Sequence, residues 1–329
     1  MELVERFAYY GVRVVLPVFM VEAISNGGPE FTHIQKGTIY AIWALVQSFV
    51  PIFTGGLADR YGFKLNIAIS TVLKIIGYLI MGYAITIGEM VSGLSLAEAR
   101  PDGLDSTYEI FFVGAMFLAL GTAIFKPGLQ GLIAHQMPVG KESLGWGMFY
   151  QMVNIGGFIG PMLAGYLRVL DWEYVFLVCA VGIALNFIPL FLFKEPHHED
   201  VDADKSVLRV IGDAFKGLLE PRLFFFTMAF AGFWLMFYQL FDILPNFIDD
   251  WVDSRDVVAF LGGADSIPTV NGGNLTQEWM LNFNAGLISI FAFAMGWVTG
   301  KVRSLNAIVV GIAVSAVAIY ALGMSSSGW

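Results

Sequence analysis

The chain has 329 residues, of which 57% are hydrophobic, 15% aromatic and only 14% charged, and its mean hydropathy is +0.70. Soluble domains carry about 25% charged residues, and the deficit runs along the whole chain, so it reads as a polytopic, all-α membrane protein. The net charge of −9 comes mainly from acidic loops and a linker, and with no basic stripe it gives no ground for a nucleic-acid partner.

A membrane-spanning helix needs about 20 mainly apolar residues. In chain order, such stretches fall at about 6–25, 37–57, 66–87, 108–134, 145–168, 174–193, 222–246, 279–299 and 305–323. The charged start and the lack of a small-residue cleavage site mark the first as a retained span. Between the sixth and seventh lies "FKEPHHEDVDADKSVLRVIGDAFKGLLEPRL". Its acidic part reads as disordered, and His197 and His198 read as a solvated pair. Residues 205–219 place Val207, Leu208, Ile211, Phe215 and Leu218 at helical spacing, which predicts an amphipathic helix at the membrane surface. The expected division is a six-helix half over 1–193, a linker over 194–221 and a partial second half over 222–329. The loop 247–277, acidic and Gly-rich, reads as solvated. Cys179 is the single cysteine, so no internal disulfide forms. No metal set, nucleophile–base pair or phosphate loop is recognisable, so neither a cofactor nor an enzymatic activity is expected.

Orientation follows from basic loop residues. With a cytoplasmic N-terminus, the inside loops hold Arg60, Lys64, Lys141, Lys194, Lys205, Arg209, Lys216, Arg222, Lys301 and Arg303. The outside loops hold only Lys36, Arg100, Arg168 and Arg255. This supports a cytoplasmic N-terminus and linker, in a plasma membrane (the inner membrane in a Gram-negative cell). Arg6, Arg13, Lys74 and Lys126 are left inside spans.

On a helix, Glu2, Glu5, Arg6, Tyr9, Tyr10 and Arg13 follow spacings of three and four and share one face. A charge at the bilayer centre costs at least about 2.5–3.5 kcal/mol on insertion scales, so this face must line a polar cavity. Lys126 is too deep in its span to reach the interface easily, and it can pair with Glu2 or Glu5 or receive a carboxylate. Lys74 reads as near enough to the cytoplasm to snorkel and is given no role. Tyr150 and Asn154 lie one turn apart on the fifth span. Gly156 and Gly160 read as packing residues. Trp234, Tyr238 and Asp242 share a face of the seventh span. Two readings stay open for Asp242: a cavity carboxylate, or a residue near the outer mouth.

Two short turns, "GGLADRYGFKLNIAI" and "GWVTGKVRSLNAIVV", sit at matching places before and after the linker and share an "LN.I" element, as repeat-built transporters do. "GGLADRYGFK" resembles the loop signature of the major facilitator superfamily. In that family Asp59 and Arg60 would contact a neighbouring helix end and help lock one conformation. The opening, Glu2-x-x-Glu5-Arg6-Phe7-x-Tyr9-Tyr10-Gly11-x-Arg13, resembles the first-helix motif of the proton-dependent oligopeptide transporters. "LGTAIFKPG" around Lys126 and "FYQMVNIGGFIGP" around Asn154 resemble that family's fourth and fifth helices. Asn284 resembles, loosely, an asparagine that meets a peptide's amino end.

The resemblance implies a major facilitator fold of two six-helix halves, about nine of whose helices are here, and uptake of di- or tripeptides by alternating access, driven by protons. Glu2, Glu5, Arg6 and Asp242 would couple the proton. Tyr9, Tyr10, Arg13, Lys126, Tyr150, Asn154, Trp234, Tyr238 and Asn284 would contact cargo. The protein would act as a monomer in the lipid bilayer, with peptide and protons as its partners. The chain departs from the family at Tyr238, where the seventh helix usually carries an acid, at Gln47 in place of a tyrosine, and at Gly128 in place of an asparagine. A different amphiphilic cargo without proton coupling is the first alternative, and a non-transporting receptor or scaffold the second. Three helices of the second half are expected to lie beyond this sequence.

Overall fold

The computed structural model describes residues 1–136, 142–193, 216–217, 219–299 and 301–328. Helices occupy each stretch that the hydropathy pattern singles out. They are α1 (Glu2–Phe19), α2 (His33–Tyr61), α3 (Phe63–Gly82) with its continuation α4 (Ala84–Ser92), the short α5 (Leu96–Ala99), α6 (Thr107–Gln136), α7 (Glu142–Leu170), and α8 (Trp172–Ala184) with α9 (Phe187–Leu192). After the linker come α10 (Pro221–Asp242), α11 (Leu244–Trp251), α12 (Arg255–Phe260), α13 (Gln277–Thr299) and α14 (Ser304–Leu322). Among the described residues, six helical stretches are long and apolar enough to cross a membrane: Phe63–Gly82, Thr107–Gln136, Gly145–Leu170, Trp172–Leu192, Pro221–Trp251 and Leu305–Leu322. The amphipathic helix expected at 205–219 lies almost wholly outside the described residues, as do the side chains of Asp59 and Arg60 at the end of α2.

The first six spans pack around α1. Its apolar flank (Val12, Val15, Leu16, Phe19) is fully or almost fully buried against Tyr78 and Met81 of α3, Phe111 and Leu118 of α6, and Phe176 and Ile183 of α8. Burying such side chains contributes about 1.5–3 kcal/mol each where water is the alternative. Within a bilayer, close van der Waals fit takes over that role. Three glycines provide it. A Cβ at Gly77 would come within 2.7 Å of the Leu118 backbone nitrogen, so α3 and α6 touch along their backbones. A Cβ at Gly156 would overlap the Leu3 carbonyl, and one at Gly160 the Phe7 carbonyl, so α7 lies directly on α1.

Helix α1 begins four residues before the span expected at 6–25, because Glu2 and Arg6 satisfy each other one turn apart. The seventh span breaks after Asp242. Pro245, in the first turn of α11, has no N–H to continue the ladder, and its ring disfavours helix at the residue before it. The loop read as solvated is in fact folded. Beyond α11 it holds α12 and a two-stranded antiparallel hairpin, β1 (Thr269–Val270) and β2 (Asn274–Leu275). Val257, Val258, Ile267 and Leu275 are buried in a small core of their own. Asn271 and Gly272 turn the hairpin at positive φ, as its tight loop requires. On the same side, Arg100 reaches the Pro29 carbonyl and Asp105. Partial burial pushes the Asp105 carboxyl up, but the Thr107 N–H and hydroxyl and the Arg100 guanidinium outweigh it and hold it below its ordinary value.

Candidate functional site

The charged face of α1 lines a cavity of about 350 Å³ between the first six spans and α10. Glu2, Arg6, Tyr9, Tyr10 and Arg13 form one wall. Gln47 of α2, Lys126 and Gln130 of α6, Tyr150 of α7 and the α10 face of Trp234, Phe237, Tyr238 and Phe241 form the rest. A second cavity of about 170 Å³ adjoins it through Tyr10, Val153, Phe237 and Phe241. Asn154, Asn282, Asn284 and Glu278 supply its polar groups, so Asn154 and Asn284 meet here and not on the larger wall.

The charges form two clusters. At one end, the Arg6 Nε–H donates to Glu2 Oε1 at 2.8 Å and lies 2.7 Å from Glu5 Oε2. Glu5 does not face the cavity. It turns toward α3, where Lys74 Nζ donates to Glu5 Oε1 at 3.0 Å with both side chains excluded from solvent. Lys74 also sits 3.7 Å from the centre of the Phe125 ring, a cation–π contact. The expectation that Lys74 snorkels is therefore wrong. A Cβ on Gly121 would crowd Lys74 Cγ at 2.7 Å, and Ser70 donates to the Gly121 carbonyl at 2.7 Å, so α6 holds the lysine stem inward. Lys126, read as a partner for either glutamate, has no ion-pair partner among the described residues and is exposed on the cavity wall.

At the other end, Arg13 pairs with Asp242, its guanidinium lying 4.3 Å from the Tyr40 ring. Around that pair run links between the two parts of the chain. Lys36 Nζ donates to Asn246 Oδ1 at 2.7 Å, and Asn246 donates to the Pro17 carbonyl at 2.9 Å. Gln277 donates to the Val14 carbonyl at 2.9 Å, and Trp279 to the Met162 carbonyl at 3.0 Å. Arg168 binds Asp249 at 2.8 Å and lies 3.4 Å from Glu278. Asp242 thus belongs to this closed end, one turn beyond Tyr238, and not to the open wall.

The sequence model of the Major Facilitator Superfamily matches residues 2–329. The chain belongs to the major facilitator superfamily. This major facilitator protein is 28% identical over 207 residues to the peptide transporter YePEPT of Yersinia enterocolitica, covering 62% of this chain and 37% of that one. It is 23% identical over 264 residues to a di-/tripeptide transporter of Lactococcus lactis, covering 78% of this chain and 48% of that one. The chain thus spans half or less of the length of these curated relatives. Its fold is similar, with a TM-score of 0.64 and 16% identity over 91% of this chain and 68% of the other, to a POT family transporter crystallised with 5-aminolevulinic acid.

The functional candidates that sequence reasoning missed in this facilitator are Lys74, Lys36, Asn246, Arg168 and Glu278. For Lys74 the signal was present: it interrupts the apolar run "LNIAISTVLKIIGYLIMG" near its middle, where an ionisable residue is functional by default. Arg168 and Lys36 stand at span ends, where a basic residue reads as a loop charge.

Proposed function

We propose that this chain carries the cargo cavity of a secondary transporter that takes up small peptides with protons by alternating access. The observation that carries this reading is the cavity of about 350 Å³, rich in cations and phenols, set inside an otherwise apolar bundle and closed at one end by Arg13 and Asp242. Its size suits a small ligand. Lys126 and Gln130 offer donors to a carboxylate, and the carboxamides of Asn154 and Asn284 offer partners to an amine or peptide group. The names of the relatives support the same cargo class.

The basic-loop count puts the N-terminus and linker in the cytoplasm, so the end closed by Arg13, Lys36 and Arg168 faces outward and the cavity opens inward. Residues 1–193 and 222–329 then belong to the two halves, which rock about the site. Tyr238 in place of an acid, with Asp242 already engaged by Arg13, favours a second reading: a cargo with one carboxylate and an amine, but not a peptide. The POT family structure holding 5-aminolevulinic acid is consistent with it.

The test is uptake of labelled dipeptide by proteoliposomes with and without an inward proton gradient, with 5-aminolevulinic acid as competitor. Accumulation against a gradient that is lost in Lys126→Ala and in Glu2→Gln supports the reading. Binding without flux would make the protein a receptor, and accumulation in both variants would overturn the assigned roles.

A further inference from the structure

Two carboxylates and two cations meet at the start of α1, but not on equal terms. Glu5 has two cations in contact, Arg6 at 2.7 Å and Lys74 at 3.0 Å, and its side chain has no solvent access. Glu2 has Arg6 alone, at 2.8 Å, and lines the cavity. Arg6 offers its single Nε–H to both, and one N–H cannot satisfy two carboxylates fully. Its hydrogen bond goes to Glu2, which leaves Glu5 Oε2 with charge proximity but no hydrogen bond. Lys74 compensates by donating to the other Glu5 oxygen.

From this geometry we infer that Lys74 is a positioning residue of the proton-coupling cluster: it keeps Glu5 paired, so that Glu2 is the carboxylate that takes up the proton. The inference deepens the transport reading and rests on it for its physiological meaning, though not for its test. With both carboxylates ionised, Glu2, Glu5, Arg6 and Lys74 sum to zero charge, with Glu2 and Arg6 on the cavity wall and Glu5 and Lys74 behind it. Two carboxylates that compete for one guanidinium disfavour each other's ionised form. A proton arriving through the cavity meets Glu2 first. Protonation of Glu2 releases its hold on Arg6, whose Nε–H then turns wholly to Glu5. The guanidinium thereby moves its charge away from the cavity wall next to Tyr9 and Tyr10, whose rings lie 5.3 and 6.0 Å from it.

The other titratable groups around the pair do not replace Lys74. On α1 these are Tyr9 and Tyr10. Tyr78 stands on α3, Lys126 on α6, Tyr150 on α7 and Cys179 on α8. The cation among them, Lys126, acts on Glu5 only through space, without a contact.

Without Lys74 the cluster carries a net negative charge and must take a proton at a pH where the intact protein does not. The experiment is an infrared titration of the carboxyl stretch between pH 5 and 8, on the purified full chain in lipid vesicles. In the wild type a buried carboxyl titrates. Glu2→Gln removes that signal, and Glu5→Gln keeps it but moves it to lower pH, because Glu2 then has the Arg6 Nε–H to itself. Lys74→Gln shows a protonated carboxyl already at neutral pH, and in reconstituted protein it moves the pH midpoint of uptake upward by on the order of tenfold in proton concentration. Lys74→Gln with Glu5→Gln removes both charges together, so it folds where the single variants are strained, and it restores the wild-type midpoint. Loss of the signal in Glu5→Gln with retention in Glu2→Gln would overturn the inference. So would a Lys74→Gln spectrum identical to wild type. If the titration behaves as expected but no peptide is taken up, the transport reading fails and the inference stands.

Discussion

The clearest handle on the closed end is Asp242→Asn. The change keeps the side-chain shape and its acceptor oxygen but removes the charge that answers Arg13. The Arg13 side chain is 11% exposed and that of Asp242 25%. Removing one partner of a buried ion pair costs about 3–5 kcal/mol, because the other charge is left uncompensated. Two features reduce that figure here: Asp242 is partly solvated, and the Tyr40 ring remains against the guanidinium, worth about 0.5–2 kcal/mol. The net loss is then about 2 kcal/mol, which on the alternating-access reading proposed above is a shift of roughly 30-fold in the equilibrium between closed and open. The neutral links from Asn246 to Pro17 and from Gln277 to Val14 remain, each worth on the order of 1 kcal/mol.

The assay is electron–electron distance measurement between spin labels on Ser25→Cys and Ala264→Cys, exposed positions on the two sides of the closure, in a Cys179→Ala background. Asp242→Asn should add a longer-distance population, and Arg13→Gln the same one. The two together should do no more than the stronger of them, because they remove one interaction. Identical distance distributions in parent and Asp242→Asn would refute the argument, by showing that the pair forms without holding the two parts together.

Two further outcomes test the packing and the outer network. Gly160→Ala places a methyl on the Phe7 carbonyl and should lower the unfolding temperature through about 1–3 kcal/mol of overpacking. Gly232→Ala in α10 meets nothing within 4 Å and should leave that temperature unchanged or raise it, both read by intrinsic fluorescence on heating. Arg168→Gln leaves Glu278 and Asp249 without their shared cation, and should open the same spin-label distance as Asp242→Asn while leaving the pH midpoint of uptake in place.

Much of the fold lies open in the sequence because a bilayer demands it. Spans must be apolar and long, and the charges on α1 fall at spacings that only a helix facing a cavity can bear. What the sequence leaves undecided is pairing. Nothing local tells whether Lys74 or Lys126 reaches Glu5, since both stand in apolar runs. The choice is made by Gly121 and Ser70, which bring α3 and α6 close enough to hold one lysine inward. Asp242 is ambiguous for a related reason. Its depth depends on where α10 ends, and the break is made by Pro245, three residues on. The loop 247–277 misleads because the apolar residues of its small core, Val257, Val258, Ile267 and Leu275, are scattered over short elements with neither helical nor strand period.

Arg6, Arg13 and Lys126 line the cavity, and Lys74 is paired behind it. Glu2 lines it too, Glu5 pairs with both Arg6 and Lys74, and Asp242 pairs with Arg13. Among the described residues of this site, four cations stand against three carboxylates, and the positive charge without an ion-pair partner is that of Lys126. An empty cavity of this kind attracts one carboxylate, and a proton on Glu2 strengthens the attraction by a further charge. On the transport reading proposed above, cargo and proton would then favour each other's arrival without touching, as coupling between two sites requires. Lys126→Gln tests this directly. It removes no ion pair, so unfolding temperature should hold. Affinity for a dipeptide should fall by about tenfold or more, the loss of a charge-assisted hydrogen bond of about 1.5–3 kcal/mol. Affinity for the same dipeptide with an amidated C-terminus, already weak, should not change. If both ligands weaken alike, Lys126 acts through the shape of the cavity and not through its charge, and the electrostatic account of coupling fails with it.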